Sequence, residues 1–546
     1  MLRRVAVGSV VGVASATILV QSYHALGMTP ASFPMTSSVV QTLEAPVRGA
    51  KLIGSIGAIY LDFWWNFRKR HNPDLDPGEF SRNMDQVHSR GASRLLELLL
   101  DLGGIFVKFG QKLSLMVGLI PHQYCTTLAV LQDKVPSLPF NKVEEIFVHQ
   151  FGNPISFYFS EFDSSPIASA SVGQVHRARL KDGREVAVKI QYPKVGYFIH
   201  GDILSARILS RIAGAIDDQF RAQEDQFDEW ARTTKLELDF IHEAANQERC
   251  RKNFETSGMK WVHVPYIVPE VSSRLVLTME FINGIKITDI TGIDSLGVSR
   301  SKIAKMIYEA FSVQIFDHGF VHADPHPGNL MIRKHAGNIQ MVLLDHGLYS
   351  DIPKQFARDL AGIVENIVLN RKSEVKRLCD RNGIKQHEIF ASLLMLQSYD
   401  AVGGENPFLD IQDDEVFNEL MDPSDQDFQE IGKAMQEMSR SIPYSVALVL
   451  RNMFMLRGVS QQLGVPINRF VVMARMASKF SASSPDFEES HLTHRVHRSF
   501  RAIRFEMSLF FLQFQALIAS LIVRLVGIPN LIYYFGTFVA PKPETV

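Results

Sequence analysis

The chain has 546 residues, which is too many for one hydrophobic core and predicts two or more compact units. Its hydrophobic fraction of 46% and charged fraction of 21% are those of a folded protein, and its net charge of −1 gives no global attraction to nucleic acid. The cysteines Cys125, Cys250 and Cys379 lie far apart without a CxxC pair, which argues against a disulfide framework and a cysteine-rich zinc site.

Residues 1–30 form a hydrophobic segment with the character of a mitochondrial targeting sequence. Arg3 and Arg4 precede an uncharged run from Val5 to Tyr23, and the first carboxylate in the chain is Glu44. A basic, serine-bearing and acid-free N-terminus is typical of a mitochondrial presequence. The uncharged run is also long enough for a membrane anchor, and a secretory signal peptide is the third interpretation.

The next segments predict a linker and then helices. Residues 30–45, which contain prolines, threonines and serines, predict a linker within a lead-in that extends over residues 31–92. From Ser93 to Leu138 apolar residues recur at intervals of three and four, which predicts helices. Residues 93–150 are therefore assigned to a helical extension.

The middle of the chain predicts a change from strands to helices. Within residues 151–284 the runs VAVKI, VPYIVPEV and RLVLTMEFI predict strands, separated by turns and by one long charged helix from about Glu224 to Lys252. Residues 285–440 are predominantly helical, apart from the apolar strand MVLLDHG, which ends in Asp-x-Gly. This order predicts an α+β, two-lobed architecture with a small β-rich lobe followed by a larger helical lobe.

Residues 441–546 predict a helical region with a basic and apolar tail. Arginines recur at every third position and so share one broad face of a helix: Arg495, Arg498, Arg501 and Arg504. Uncharged runs follow at 507–523 and 525–540, the second broken by Pro529. This pattern favours a hairpin at the surface of an anionic membrane. The alternative is an internal helix packed on the core, with solvated arginines.

Three segments carry the groups that phosphoryl transfer needs. This chemistry requires a cation on the nucleotide phosphates, oxygen ligands for Mg²⁺ and a carboxylate near the attacking group. Lys189, in the predicted strand VAVK, suits the first role. Asn329, in the segment HADPHPGN, and Asp345, in the segment DHG, suit the second role, and Asp324 suits the third.

Two histidines in the same segment raise the alternative of a zinc site. His322 and His326 have no third ligand at a suitable spacing. The prolines on both sides of His326 also prevent the helix that HxxxH sites use. Hydrogen bonding within the loop is the favoured interpretation.

Carboxylates in the charged helix predict two ion pairs. Glu243 is placed to pair with Lys189 and to orient it. Because that pair needs only one carboxylate, Glu237 and Asp239 require another partner, for which Lys108 in the segment KFGQ is the candidate. The alternative is that both acids are solvated on a helix face.

With these residues in place, the chain resembles the UbiB/aarF-type (ABC1) atypical kinase-like family over residues of about 95–440. The motifs that carry the resemblance are KxGQ at 108–111, LQD at 131–133, GQVH at 173–176, VAVK at 186–189, ExD at 237–239, EAxN at 243–246 and DPHPGN at 324–329. The Asp-His-Gly triplet at 345–347 and both termini are similar to a mitochondrial branch of this family.

The resemblance implies a protein-kinase-like fold in which the KxGQ extension covers the cleft. Its Lys108 and Gln111 form a regulatory lid together with the acids Glu237 and Asp239. The resemblance also implies binding of ATP or ADP with Mg²⁺, kinase or ATPase activity, and a role in mitochondrial lipid or coenzyme Q homeostasis. The implied partners are a membrane and a lipid or isoprenoid-like ligand. The residues assigned to the nucleotide are Ala168, Ser169, Ala170, Ser171, Gly173, Val175, Lys189 and Glu280.

The chain departs from the usual kinase pattern at two places. Ala168 and Ala170 stand where a kinase has the first two glycines of its phosphate loop, so this loop is predicted to be stiffer and to change the nucleotide preference. Ser169 stands where many family members have alanine. His346 occupies the position of a phenylalanine, and it requires a polar partner if it is buried.

These features together predict an atypical kinase or ATPase associated with a mitochondrial membrane, with the inner membrane as the expected location. A catalytically weak, nucleotide-gated lipid-binding scaffold is the alternative. Protein phosphorylation in trans is disfavoured, because the family's helical extension fills the space that a peptide would need.

Overall fold

A computed structural model describes residues 34–71, 76–114, 120–132, 137–169, 172–216, 224–395, 444–465, 467, 469–480 and 502–511. The chain divides into two compact units: unit 1 is Met1–Glu248 with Pro265–Ile282, and unit 2 is Arg249–Val264 with Asn283–Val546. The predicted N-terminal apolar run and most of the C-terminal tail lie outside the described residues. Within the described ranges, no helix has the length and apolar character needed to cross a membrane.

Helices dominate the first part of unit 1. They are α1 (Pro34–Phe67), α2 (Pro77–Leu102), α3 (Ile105–Ser114), α4 (His122–Leu128), a 3-10 segment (Ala129–Gln132), α5 (Phe140–Phe151), α6 (Ile155–Tyr158), α7 (Pro193–Ile216), α8 (Glu224–Glu237) and α9 (Phe240–Thr256), the last of which continues into unit 2. Apolar side chains from α2, α3, α7, α8 and the 3-10 segment are buried in one cluster that includes Leu99, Phe106, Leu131, Ile199 and Phe227.

Two predictions about these helices are wrong. The predicted linker at 30–45 is helical from Pro34 onward, because those residues form the first turns of α1. The predicted single charged helix at 224–252 is two helices, α8 and α9. Asp239 separates them, because its carboxylate accepts a hydrogen bond from the backbone N–H of Ile241 at 3.1 Å and so caps the new helix.

An antiparallel sheet forms the rest of unit 1. Its strands are β1 (Phe159–Phe162), β2 (Ala168–Ser169), β3 (Gly173–Leu180), β4 (Glu185–Gln191) and β6 (Val276–Glu280); β5 (Val262–His263) belongs to unit 2. The order is β1-β3-β4-β6, and β2 pairs with β3. Val186, Val188 and Ile190 pack on one face with Val143 and Phe147 of α5. The opposite face carries Lys189, because side chains alternate along a strand.

Unit 2 contains more strands than the sequence predicts. A four-stranded sheet has the order β5-β10-β9-β7, and β8 pairs with β11. The strands are β7 (Ile285–Lys286), β8 (Phe320–His322), β9 (Leu330–His335), β10 (Asn338–Leu343) and β11 (Tyr349–Asp351). Only β10 was predicted; it ends two residues before Asp345, as the Asp-x-Gly pattern indicates.

The helices of unit 2 enclose its largest hydrophobic core. They are α10 (Ile290–Ser295), α11 (Arg300–Val313), a π-helical turn (Gln314–His318), α12 (Lys354–Val368), α13 (Lys372–Arg381), α14 (His387–Met395), α15 (Tyr444–Leu463), α16 (Arg469–Phe480) and α17 (502–511). All three cysteines of the chain are buried free thiols. Burial raises the pKa of Cys250 and that of Cys379 to about 12, so both thiols are neutral and structural.

Helix α17 is the described part of the predicted C-terminal tail. Its Phe505 and Leu509 are buried in the core of unit 2, as the internal-helix alternative predicts. Its opposite face exposes Ile503, Met507 and Phe510. The helix therefore packs on the protein through one apolar face and presents a second.

Candidate functional site

Lys189 and Glu243 form a buried ion pair in unit 1. The Lys189 Nζ of β4 donates to both carboxylate oxygens of Glu243 on α9, at 2.7 and 2.9 Å. The two side chains are only 9% and 1% exposed. The ammonium also lies 4.9 Å from the centre of the Phe240 ring. A buried charge is costly unless it is paired, so this contact fixes the position of the lysine. The structure thus contains the pair that the sequence predicts.

Each defined position of the KxGQ motif makes a separate contact. Lys108 contacts the Glu237 carboxylate, and the two side chains are 15% and 6% exposed. Gln111 donates to the carbonyl oxygen of Leu131 at 2.8 Å. At Gly110 an added Cβ would lie 2.4 Å from the Leu131 side chain, so a glycine lets α3 pack against the 3-10 segment. The motif therefore both packs α3 and presents Lys108 to Glu237.

Asp239 has different surroundings from Glu237. Besides capping α9, its carboxylate lies 4.0 Å from the Arg274 guanidinium. The two acids of the ExD motif therefore have separate structural roles. The structure brings Glu237 to Lys108 and uses Asp239 to end one helix and begin the next.

The residues around the alanine-serine loop pair within the sheet. Ala168 and Ser169 lie opposite Val175 and Gln174, whereas Ala170 and Ser171 lie outside the described residues. At Gly173 an added Cβ would lie 2.5 Å from the Ile190 carbonyl oxygen, so the close packing of β3 on β4 requires glycine there. Glu280, the last residue of β6, lies opposite Val186 and donates its backbone N–H to Tyr266.

Val175 aligns with Lys189 across β3 and β4, and Lys189 aligns with Leu277 of β6. Directly opposed residues of antiparallel strands project from the same face. The predicted nucleotide residues Val175 and Lys189 therefore share one face of the sheet.

Two other residues of the GQVH motif lie on the opposite face, a role that was not predicted. Gln174 accepts from the Leu138 N–H at 2.6 Å and faces the His176 ring at 2.9 Å. His176 Nδ1 bonds to the carbonyl oxygen of Asp163 at 2.7 Å. Burial lowers the pKa of His176, so the ring is neutral: Nδ1–H donates to Asp163 and Nε2 accepts from Gln174. This motif ties the segment at residue 138 to the sheet.

In unit 2, His322 links the two loops that carry Asp324 and Asp345. Its Nδ1 accepts from the Asp324 N–H at 3.1 Å, and its Nε2 lies 2.9 Å from the Asp345 carbonyl oxygen. Burial lowers the pKa of His322, so the ring is neutral. Because Nδ1 is an acceptor, Nε2 carries the proton and donates to Asp345. One imidazole thereby fixes the backbone of both loops.

The predicted metal residues are held near this link. The Asn329 carbonyl oxygen accepts from the Leu344 N–H at 3.0 Å, which joins the DPHPGN loop to the residue before Asp345. The Asp345 carboxylate accepts from the Gly347 N–H at 3.0 Å. His326 Nδ1 accepts from the Gly328 N–H at 2.9 Å, in agreement with hydrogen bonding within the loop rather than zinc ligation.

His346 has the polar partners that its burial requires. Its Nδ1 lies 2.9 Å from the Tyr349 hydroxyl, and its Nε2 lies 3.1 Å from the Leu343 carbonyl oxygen. Burial raises the pKa of Tyr349 well above its usual value, so the phenol keeps its proton and can donate it to Nδ1. Hydrogen bonds therefore hold the Asp-His-Gly turn, where a phenylalanine would rely on apolar packing.

Helix α15 contributes residues that no motif indicates. Arg451 Nη2 lies 3.3 Å from the Asp324 carboxylate, and Asn452 Nδ2 donates to the His322 carbonyl oxygen at 2.6 Å. Leu448, on the same helix face, packs with Ala323 and Leu348. Contacts from Leu448, Arg451 and Asn452 thus join α15 to the segment at 322–324.

The donor set in unit 2 fits a magnesium ion. Asp345 offers a carboxylate and Asn329 an amide oxygen, and Mg²⁺ commonly binds one or two such protein ligands together with phosphate oxygens and waters. Within the described ranges, no group of three or more His, Cys, Asp or Glu residues is placed to hold a metal by itself. Asp345 and Asn329 are the residues that would hold a magnesium ion.

Sequence comparison places the chain in a known family. A family model described as "ABC1 atypical kinase-like domain" matches residues 130–379. AarF domain-containing protein kinase 1 from Xenopus laevis is 32% identical over 441 residues, covering 80% of this chain and 83% of the relative. The chain belongs to the ABC1 atypical kinase-like family. ABC1 membership confirms the predicted kinase-like fold class and the family resemblance.

Two further proteins are similar over a smaller share of the chain. Probable serine/threonine-protein kinase abkD from Dictyostelium discoideum is 34% identical over 406 residues, covering 73% of this chain. This chain spans 57% of the length of that relative. The Rv3197–erythromycin complex from Mycobacterium tuberculosis aligns over 75% of this chain and 100% of that chain, at 24% identity and a TM-score of 0.47. That likeness is too low to assign a function.

Proposed function

We propose that this ABC1-family protein binds Mg-ATP or Mg-ADP and acts as an ATPase or an atypical kinase. The observation that carries the proposal is the neutral His322, which holds the backbones of Asp324 and Asp345 at once. A protein that only binds nucleotide has no need to align an acceptor carboxylate with a metal ligand. The alignment favours turnover over passive binding.

Lys189 supplies the cation for the nucleotide phosphates in this proposal. Glu243 neutralises the lysine in the resting protein and fixes its direction, so nucleotide binding requires no reorganisation of the side chain. Ala168, Ser169, Gly173, Val175 and Glu280 are the further candidates for nucleotide contact among the described residues.

Asp324 acts on the attacking group. It accepts a hydrogen bond from a water or an acceptor hydroxyl and takes the proton as the oxygen attacks phosphorus. Asp345 and Asn329 would hold Mg²⁺, which would neutralise charge on the phosphates. His322 does not change its protonation; it keeps the two loops in register.

Lys108 and Glu237 form the proposed lid. Since Lys108 sits on α3 and Glu237 ends α8, the pair joins the helical extension to the segment just before Glu243. Protein phosphorylation in trans is the disfavoured activity. It gains support only if Lys108→Ala unmasks autophosphorylation.

We also propose that the protein acts on a lipid or isoprenoid-like molecule at a mitochondrial membrane. Coenzyme Q homeostasis is one context for this activity. The end of α1 supports membrane contact: Leu61 and Trp65 are 61% and 64% exposed, and Trp64 is exposed beside them. Arg68 stacks on Trp64 at 4.7 Å, and Lys69 follows. Exposed tryptophans next to basic residues suit the surface of an anionic bilayer.

Vesicle binding tests this membrane contact. We expect the double variant Trp64→Ser, Trp65→Ser to lose most of its co-sedimentation with vesicles containing anionic lipid. Phe157→Ser is the matched control, because Phe157 is an exposed aromatic next to Lys181 in another part of unit 1. Equal binding by both variants and the wild type would remove α1 from the proposal.

ATP hydrolysis by the full chain tests the enzymatic function. The assay compares detergent with vesicles of anionic lipid, and it includes Asp324→Ala and Asp345→Asn. Asp351→Asn is the control, because Asp351 is 66% exposed and pairs with Arg249 outside the site. Hydrolysis that both site variants lose and the control keeps supports the proposal. If the wild type binds Mg-ATP but never hydrolyses it, the nucleotide-gated scaffold becomes the better account.

A further inference from the structure

The loop from Asp324 to Asn329 contains no lysine or arginine. The phosphoryl group in transfer carries spread negative charge, and enzymes of this chemistry stabilise that charge with a positioned cation in addition to the metal. In unit 2 a cation reaches this loop from α15, which lies beyond the residues matched by the family model. That cation is the guanidinium of Arg451.

Arg451 contacts Asp324 without being saturated by it. Its Nη2 lies 3.3 Å from Asp324 Oδ1, and the two side chains are 26% and 23% exposed. The same Nη2 is buried, and within the described part of the chain it has no hydrogen bond of good geometry. A buried charged donor left in this state is costly and points to a ligand that completes it.

The position of Arg451 is fixed by its own helix. Asn452 bonds to the His322 carbonyl oxygen, and Leu448 packs against Ala323, one residue before Asp324. Further along α15, the Tyr308 hydroxyl of α11 donates to the Leu456 carbonyl oxygen at 3.1 Å. Contacts on both sides of Arg451 therefore hold the helix against the loop. An arginine anchored in this way is preorganised for charge stabilisation.

We propose that Arg451 is a catalytic residue that binds the transferred phosphoryl group. The proposal rests on the proposed ATPase or kinase function and names a further residue for it. The oxygen of water or an acceptor hydroxyl bonds to the γ-phosphorus, and the bond from that phosphorus to the β–γ bridging oxygen breaks. The attacking oxygen gives its proton to Asp324, ADP leaves, and Arg451 keeps its charge and its protons throughout.

Substitutions of Arg451 separate catalysis from binding. We expect Arg451→Gln to lower the kcat of ATP hydrolysis by at least about 100-fold, the loss seen when one charge-stabilising donor is removed. Its dissociation constant for Mg-ADP should stay within about 3-fold of the wild-type value, since only the transferred group loses a contact. Arg451→Lys should recover part of the rate. Arg475→Gln, which removes an exposed partner of Glu506, should match the wild type.

A transition-state mimic supplies a readout that does not depend on turnover. Mg-ADP with aluminium fluoride should raise the melting temperature of the wild type beyond the rise given by Mg-ADP. Arg451→Gln should keep the rise with Mg-ADP and lose the additional rise. A purely structural Arg451 would instead lower both together, in proportion to the loss of folded protein.

The outcomes are distinguishable. Wild-type kcat in Arg451→Gln overturns the role of Arg451 and leaves the proposed function intact. Loss of Mg-ADP binding in parallel with loss of rate shows a structural role and also overturns the proposal. A wild type that binds Mg-ATP but never hydrolyses it overturns the proposed function, and this proposal falls with it. Loss of rate and of aluminium fluoride binding, with Mg-ADP binding kept, supports both.

Discussion

Two regions of the molecule hold their functional side chains in different ways. In unit 1 the cations Lys189 and Lys108 are each held by a carboxylate, Glu243 and Glu237 respectively. In unit 2 the backbones of Asp324 and Asp345 both bond to the neutral ring of His322, and the Asp345 carboxylate also accepts from the Gly347 N–H.

The difference follows from what each group is proposed to do. A buried lysine remains charged only if a carboxylate compensates its charge, so each lysine is paired with a glutamate side chain. An acid that must bind metal or accept a proton cannot be held by a strong cation on every side. A neutral imidazole that bonds to the backbone fixes such a residue without competing for its carboxylate. Arg451, which meets Asp324 at 3.3 Å, is the exception that the further proposal explains.

We expect the loss of the Lys189 charge to have the largest effect on stability. Lys189→Ala removes the lysine partner of the buried Glu243 carboxylate, so we expect a loss of about 3–5 kcal/mol of stability in unit 1. The double variant Lys189→Met, Glu243→Gln removes both charges and should recover most of it. Hydrogen exchange of the β4 amides measures the change. A cost below about 1 kcal/mol for the single variant would show that the pair is not structurally important.

Acidification tests the reliance of unit 2 on neutral imidazoles. Burial lowers the pKa of His318 from 6.5 to about 4, and Asp317 opposes this shift. Between pH 6.5 and about pH 4, His318 is therefore protonated in the unfolded state and neutral in the folded state. The stability contribution is complete above pH 6.5 and is lost as the pH falls towards 4, by on the order of 3 kcal/mol.

His318→Asn should reduce this acid sensitivity. The melting temperature of unit 2, followed between pH 7 and pH 4.5, should fall less steeply in the variant than in the wild type. An identical slope in the two proteins would exclude His318 as the source.

Lys108→Ala tests the lid pair. Glu237 would lose a charge-assisted hydrogen bond in a site that is largely buried, which we expect to cost about 2 kcal/mol. The same change should speed the release of Mg-ADP, because the proposed lid is no longer tied to α8. Stopped-flow release of a fluorescent ADP analogue measures this. Lys51→Ala, which breaks an exposed pair with Asp101 in the same helical region, is the control. If Lys51→Ala accelerates release equally, the lid role is lost.

The smallest expected effect concerns the backbone next to the altered loop. Gly173→Ala places a methyl group 2.5 Å from the Ile190 carbonyl oxygen, and the rigid strand cannot move aside cheaply. We expect a loss of about 1–2 kcal/mol by overpacking. At Gly54 in α1 an added methyl meets nothing within 4 Å, so Gly54→Ala should be neutral or stabilising. Equal thermal stability of the two variants would contradict this interpretation.

The ion pairs of Lys189 and Lys108 in unit 1 could largely be predicted from the sequence. The sequence indicated Glu243 as the partner of Lys189, and Glu237 together with Asp239 as the partners of Lys108. The structure brings Glu237 to Lys108 and uses Asp239 as a helix cap. The break at Asp239 was missed, although aspartate is a common cap for a new helix. The inward positions of Gln174 and His176 were also missed. Because side chains alternate along a strand, Gln174 and His176 should lie on the face of β3 opposite to that of Val175.

The residues that position Asp324 and Asp345 in unit 2 were harder to predict. His322 was considered as a metal ligand or a loop residue, and nothing local shows that its ring joins residues 324 and 345. Arg451 lies on a helix remote in the chain, and a single arginine outside any motif carries no distinguishing pattern. Long-range contacts of this kind are set by tertiary packing, which periodicity and motif spacing do not encode.

The proposed division of roles is that Lys189 determines nucleotide binding, whereas Asp324 determines turnover. It is tested most directly by measuring the Mg-ATP dissociation constant and the single-turnover hydrolysis rate in two variants. We expect Lys189→Met, made with Glu243→Gln to preserve the fold, to weaken binding at least about 10-fold. Asp324→Asn should bind as the wild type does and lose about 100-fold or more in rate. Equal loss of binding in both variants, or an unchanged rate in Asp324→Asn, would contradict it.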